Sequence, residues 1–133
     1  MTRSELRKNI FKIIFRLEFH PDEEMNEQLA FRLAELEDEA VSEKDITYIC
    51  EKTKAIIACM DELDEAIAAH SKGWKVERLG KTELAILRLA VYEILKDDDI
   101  PKSVAINEAV ELAKVYSSDE APRFINGILA KLG

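Results

Sequence analysis

Apolar residues recur along this chain every three or four positions, so the pattern predicts helices joined by short connections. Leu6, Ile10, Ile13, Ile14 and Leu17 share one face of a first helix over Ser4 to Phe19, which ends before His20-Pro21 because a residue preceding proline is pushed out of the α region. Lys8, Lys12 and Arg16 follow one another at i, i+4 on the opposite side, with Phe15 and Phe19 among them. Pro21 to Glu39 sets Met25, Leu29, Leu33 and Leu36 in a narrow apolar stripe amid eight acids, an acidic scaffold helix. From Ser42, with Asp45 completing a capping box, a long helix is expected through Ile46, Ile49, Ile56, Met60, Leu63 and Ile67 to about His70, the spine joining two halves. The loop-like interruption from Ser71 to Gly80, with Gly73 and Trp74, marks a boundary between residues 1–70 and 71–133.

Beyond that boundary Thr82 is the expected cap of a helix in which Leu84, Leu87, Leu89, Val91 and Ile94 are apolar nearly all round, so it should be the most buried. Arg88 inside it must snorkel or pair with an acid such as Glu93 or Glu108. Two sharply delimited helices follow. Asp99 is the expected cap of the first, with Pro101 in its first turn; Ser118 and Asp119 offer a cap to the second, with Pro122 in its first turn. Phe124, Ile128 and Leu132, with Ile125 and Leu129, form its apolar stripe, and Gly127 inside it suggests a close helix crossing or ligand approach. The fold class is therefore all-α: about seven helices in two small bundles, packed as one compact domain.

Composition changes this picture little, but charge changes it more. Of 133 residues only 4 are Gly and 3 Pro, and the formal charge is -8, which on its face speaks against nucleic acid. Its distribution says otherwise: residues 1–20 carry net +3, residues 22–65 net -11, and residues 66–133 net zero, so an acidic chain opens with a basic helix. Cations interleaved with rings hold single-stranded nucleic acid by neutralising phosphates and stacking bases. Favoured on the residues alone is the plainer reading that Phe15 and Phe19 pack inward and the lysines are merely solvated. No run approaches the ~18 apolar residues a membrane span needs, and a cytoplasmic location with no membrane is expected. Cys50 and Cys59, with no His or further Cys beside them, read as ordinary buried thiols, and the acids at 61–65 and 97–99 as solvated faces. No metal or cofactor is expected.

The motifs resemble those of the NusB family of bacterial transcription antitermination factors. The residues that carry the resemblance are Trp74, Arg78 and Leu79, then ILRLAVYEI from Ile86 to Ile94, DIP at Asp99 to Pro101, AINEAVELAK from Ala105 to Lys114, and FINGIL from Phe124 to Leu129. The resemblance implies binding of the boxA element of nascent ribosomal RNA together with the ribosomal protein that doubles as NusE, in the antitermination complex of RNA polymerase. It implies an RNA surface on the first helix, matching Arg3, Arg7, Lys8, Lys12, Phe15 and Arg16, with a second contact region matching Glu120, Arg123 and Phe124. Glu83 matches an acid of the NusE-facing surface. The dense arginine cluster of the family is diluted here by Ser4 and Glu5 and by lysines, which cannot fork onto phosphate.

Two readings of function follow. One is a non-catalytic RNA-binding adaptor, monomer or homodimer; the other is a protein-only helical adaptor or dimer with weak or no RNA binding. An enzyme is disfavoured, because no Gly-rich cofactor loop is present and only His20 and His70 are bases near neutral pH.

Overall fold

A capping box decides where the first helix starts. Thr2 Oγ1 accepts from the Glu5 N–H at 3.1 Å and the Glu5 carboxylate accepts from the Thr2 N–H at 3.2 Å, so two donors that a helix start leaves unpaired are satisfied. Hydrogen bonds to the Glu5 carboxylate from Thr2, its backbone N–H first, hold that carboxyl below its ordinary range. A computed structural model describes residues 1–19, 25–71 and 79–132. Among them it contains seven α-helices and no strand: α1 Arg3–Leu17, α2 Met25–Asp38, α3 Glu43–Ala58, α4 Met60–His70, α5 Lys81–Lys96, α6 Lys102–Tyr116 and α7 Ala121–Ala130. The chain is all-α.

Packing divides the chain into two units, Met1–Ala58 and Cys59–Gly133. The expected division at 70/71 is thus replaced by an earlier one, because α4 packs on α5 and α7 and belongs with the second unit. Most of the interruption expected from Ser71 to Gly80, including Gly73 and Trp74, lies outside the described residues, as does the His20-Pro21 stop. The long helix expected from Ser42 to His70 is two helices. Cys59, at φ -116° and ψ 21°, leaves the helical region between them. No Gly or Pro announces that break; α3 is tied to α1 and α2, and α4 to other helices, so packing sets it.

In the first unit α1 lies against both α2 and α3. Its expected stripe of Leu6, Ile10, Ile13, Ile14 and Leu17 is buried, and with two neighbours the burial spreads further round to Arg7, Asn9 and Phe11. Asn9 ties the layers: its Nδ2 donates to Glu5 O at 3.0 Å while its Oδ1 accepts from Arg32 of α2 at 3.0 Å. At the start of α3 the Ser42 hydroxyl accepts from the Asp45 N–H at 3.2 Å, as the capping signal requires. At the end of α2 the Val41 N–H bonds Leu36 O and the Ala40 N–H bonds Glu37 O, each at 3.1 Å. This is a Schellman turn, whose left-handed position is filled by Ala40 at φ 60° instead of glycine.

The second unit is built on α5, where nine of 16 residues are buried and against which α4, α6 and α7 all pack. Arg88 pairs with an acid, one of the two outcomes expected for it, and an acid on another helix serves. Its Nε and Nη2 donate to both carboxylate oxygens of Asp64 on α4, each at 2.8 Å, a two-pronged arrangement that matches guanidinium to carboxylate. Helix starts also differ from expectation: Gly80 caps α5 in place of Thr82, Pro101 caps α6 in place of Asp99, and Glu120 caps α7 in place of Ser118 or Asp119. Asp97 instead accepts from the Asp99 N–H at 3.1 Å, closing a turn. Small residues Ala105, Ala109 and Ala113 of α6 are buried, as are Ile125, Ile128 and Leu129 of α7. Burying those three side chains of α7 contributes roughly 5 kcal/mol or more before entropy, which outweighs the ~1 kcal/mol that Gly127 costs the helix. Among the described residues outside its own helix backbone and chain neighbours, none would lie within 4 Å of a Cβ at Gly127, so no close helix crossing is seen there. At the far end of α7, Lys102 Nζ donates to Ala130 O at 3.2 Å and also to Leu132 O, placing a cation at the negative pole of the helix.

Two substitutions test this description by urea unfolding. Asp64→Ala removes the two-pronged acceptor of a buried guanidinium and should cost about 3 kcal/mol, the low end of the range for broken buried pairs because Asp64 is itself half-buried; a loss under about 1 kcal/mol would mean that α4 is held by other contacts. Ala40→Gly removes the Cβ clash of the left-handed conformation and should stabilise by about 0.5–1 kcal/mol, whereas destabilisation would show that the turn carries no strain.

Candidate nucleic-acid interface

Helical spacing on α1 puts Lys8, Lys12 and Arg16 in one exposed file, and Arg3 is exposed at its start. Arg7 departs from expectation. It is 3% exposed, enclosed where α1 meets its neighbours, and does not present its guanidinium on the outward face of the free chain. Phe15, for which both an outward and an inward placement were open, is half-buried. The reason is a run of three rings at i, i+4 and i+8. Phe11 is buried, Phe15 lies 6.1 Å from it, and Phe19 meets Phe15 edge to face at 5.1 Å. This geometry is favourable for ring quadrupoles. Phe19, 57% exposed, is therefore the ring that solvent reaches most, and Phe15 is its buttress.

The second set of expected residues lies in the second unit. Glu120 and Arg123 are exposed and Phe124 is half-buried at the start of α7. They line an open groove of about 740 Å³ together with Gly127, Lys131 and the end of α4 at His70 and Ser71. His70 Nδ1 lies 2.9 Å from Ala66 O, so that nitrogen carries the proton and Nε2 is left as an acceptor when the ring is neutral. Sequence reasoning named three of these residues but not His70 or Lys131. Lys131 follows Arg123 and Gly127 at steps of four, a signal that periodicity does carry.

Glu83 sits in the first turn of α5, where an acid suits the positive pole of the helix. In the free chain its carboxylate is engaged, accepting from the Ser117 hydroxyl at 2.6 Å and so joining the start of α5 to the end of α6. Gly80 leaves room for it, since a Cβ there would press on the carboxylate. Neither Cys50 nor Cys59 is in a disulfide and both are half-buried instead of fully buried, and partial burial pushes the Cys59 thiol up in pKa, away from reactivity. Two of the acids in the 61–65 cluster are taken up by ion pairs, Asp64 with Arg88 and Glu62 with Lys96, and the latter pair raises the Lys96 pKa. Among the described residues no group of three or more His, Cys, Asp or Glu is placed to hold a metal ion. No helix there is long and apolar enough to cross a membrane.

The fold is all-α, with exposed cations and rings along α1 and an open groove at the start of α7. The chain belongs to the NusB family, whose sequence profile matches residues 4–133. It is 53% identical over 131 residues to the transcription antitermination protein NusB of Agathobacter rectalis, covering 98% of each chain. It is 44% identical over 132 residues to that of Lachnoclostridium phytofermentans, covering 99% of this chain and 98% of the relative. Among solved structures, T. maritima NusB superposes with a TM-score of 0.87 at 33% identity, over 98% of this chain and 89% of that one.

The ring run makes a prediction that separates its members. Phe15→Ala should cost roughly half of the ~3–5 kcal/mol of a fully buried phenylalanine, whereas Phe19→Ala should stay within about 0.5 kcal/mol of the parent. Thermal melts of the two variants check this, and equal losses would show that the exposed ring is part of the core.

Proposed function

We propose that this chain is a transcription antitermination protein that binds boxA-type RNA of nascent ribosomal transcripts, jointly with the ribosomal protein NusE, as a non-catalytic adaptor to RNA polymerase in the cytoplasm. The observation that carries the reading is the exposed file of Lys8, Lys12 and Arg16 beside the Phe15–Phe19 pair, in a chain whose formal charge is -8. Cations gathered on one face of an acidic protein serve an anionic partner, and rings beside them serve bases. The shared name of the relatives, transcription antitermination protein NusB, supports the same role. Arg3, Glu120, Arg123 and Phe124 complete the proposed RNA contacts, and Glu83 belongs to the proposed NusE surface.

Burial of Arg7 favours a second reading, a protein-only adaptor, since it removes one of five cations from the α1 surface. Charge reversal decides between them. Lys8→Glu with Lys12→Glu should lower the affinity for single-stranded boxA RNA by tenfold or more at low salt, and should flatten the slope of log affinity against log salt by about 1.4, two contacts at ~0.7 each. Stability should move by less than about 0.5 kcal/mol, both residues being exposed. Unchanged RNA affinity in a folded double variant would leave the protein-only adaptor as the function.

A further inference from the structure

Glu83 is the third residue of α5, whose start is capped by Gly80. Serine, threonine, aspartate or asparagine at that cap would tie down the first turn, and glycine forgoes the bond. Nor does the backbone require glycine, since φ -62° and ψ 148° are open to every residue. Space is the remaining reason. A Cβ on Gly80 would overlap Glu83 Oε1, the tip of a carboxylate whose other oxygen accepts from the Ser117 hydroxyl at 2.6 Å. The carboxylate is thus held on two sides, by a donor from the end of α6 and by a floor that has no side chain. Charge alone does not call for this, because an acid in a first turn gains from the helix dipole in any rotamer that keeps it near the N-terminus. Val115, 71% exposed, and the exposed Tyr116 come just before Ser117, so apolar side chains in solvent adjoin the anchored acid along the chain.

We propose that Ser117 and Gly80 are positioning residues for the Glu83 carboxylate, fixing it in one rotamer with Oε1 over the bare cap residue, where an N–H donor of the partner protein reaches it. The inference rests on the reading that Glu83 belongs to the partner surface, and adds the device that readies the acid before the partner arrives. A glutamate left to itself samples several rotamers, and ordering it at an interface costs affinity. A hydroxyl bond made beforehand removes part of that cost. Ser117 donates through its one hydroxyl proton and leaves the remaining lone pairs of the carboxylate to the partner. The class of partner group follows from the acceptor: a lysine or arginine side chain, whose charge-assisted bond to an ionised carboxylate is roughly twice as strong as a neutral one.

The test measures binding of the full chain to purified NusE by calorimetry, on variants whose thermal melts show them folded. Glu83→Ala tests the surface itself and should weaken binding by roughly tenfold or more. Ser117→Ala should weaken it by roughly three- to tenfold, the ordering cost of one long side chain. Gly80→Ala pushes the carboxylate aside without removing a bond partner or straining the backbone, and should do the same. Ser117→Thr keeps the hydroxyl, and the extended backbone at 117 accepts a β-branched residue, so it should bind within about twofold of the parent. In the Glu83→Ala background, Ser117→Ala should change affinity by less than about twofold. If Glu83→Ala weakens binding while Ser117→Ala and Gly80→Ala match the parent, the positioning role is refuted and Glu83 keeps its place on the surface. If Ser117→Thr weakens binding as much as Ser117→Ala, or if Ser117→Ala weakens it equally without Glu83, the hydroxyl does not act through the carboxylate and the inference is refuted. If Glu83→Ala binds NusE as the parent does, the inference falls together with the surface assignment it rests on.

Discussion

The C-terminal unit depends on one charge pair. Arg88 is carried by the most enclosed helix of the chain, where an unpaired guanidinium would cost several kcal/mol. Asp64 answers it from α4 with both oxygens at 2.8 Å. Hydrophobic burial alone would allow α4 to slide or rotate along α5, because contact between apolar surfaces has no direction. A bidentate pair has a direction and fixes one register. That register sets where α4 ends, and its end carries His70 and Ser71, one wall of the groove over α7. The Glu83–Ser117 and Lys102–Ala130 bonds finish the task by pinning the ends of α6 and α7.

In the N-terminal unit a single helix serves two masters. Residues of α1 at 6, 10, 13, 14 and 17 are core, and those at 8, 12 and 16 are solvent-facing cations. The ring run joins the two: Phe11 is rooted in the core, Phe15 is half-enclosed and Phe19 stands in solvent. An exposed phenylalanine on a flexible chain would collapse onto whatever apolar surface it found. Held edge to face against a ring that is itself held, it stays presented, which limits the ordering cost that a stacking ligand would otherwise meet.

Much of this was legible in the sequence, for physical reasons. A 3.6-residue period reports which face of a helix is buried, so the α1 core stripe, the exposed lysines and the all-round burial of α5 were readable from spacing alone. What period cannot report is how many neighbours a helix has. Arg7 and Phe11 are buried because α1 lies between two helices, and one-dimensional spacing treats them as margin positions. The break at Cys59 was invisible for a similar reason, since no Gly or Pro marks it and only the packing of α3 and α4 into separate units imposes it. Caps were misplaced by one or two residues, as Gly80, Pro101 and Glu120 use backbone geometry without any side-chain bond. Arg88 found its acid 24 residues upstream, on another helix, while the candidates weighed from sequence were later in the chain. Of the candidate site, Arg123, Phe124 and Glu120 do share a groove, but Lys131 and His70 entered only through the fold.

The charge layout explains how an acidic protein can present a cationic face without binding polyanions wholesale. Non-specific affinity for nucleic acid grows with the number of phosphates neutralised, and four exposed cations on α1 supply little of it. The acids that crowd residues 22–65, among them Glu27, Glu35 and Asp38 of α2 in the same unit, would repel a phosphate strand brought near them. At physiological salt such repulsion reaches only about 8 Å, so it acts on a strand already at the surface and leaves approach from solution unhindered. An RNA strand on so short a cationic track would draw only part of its affinity from phosphates, and the rest shifts to the rings beside it. That shift is consistent with a lysine file replacing a dense arginine cluster: lysine supplies charge without forked recognition, and a strand held loosely by its phosphates must be held by its bases.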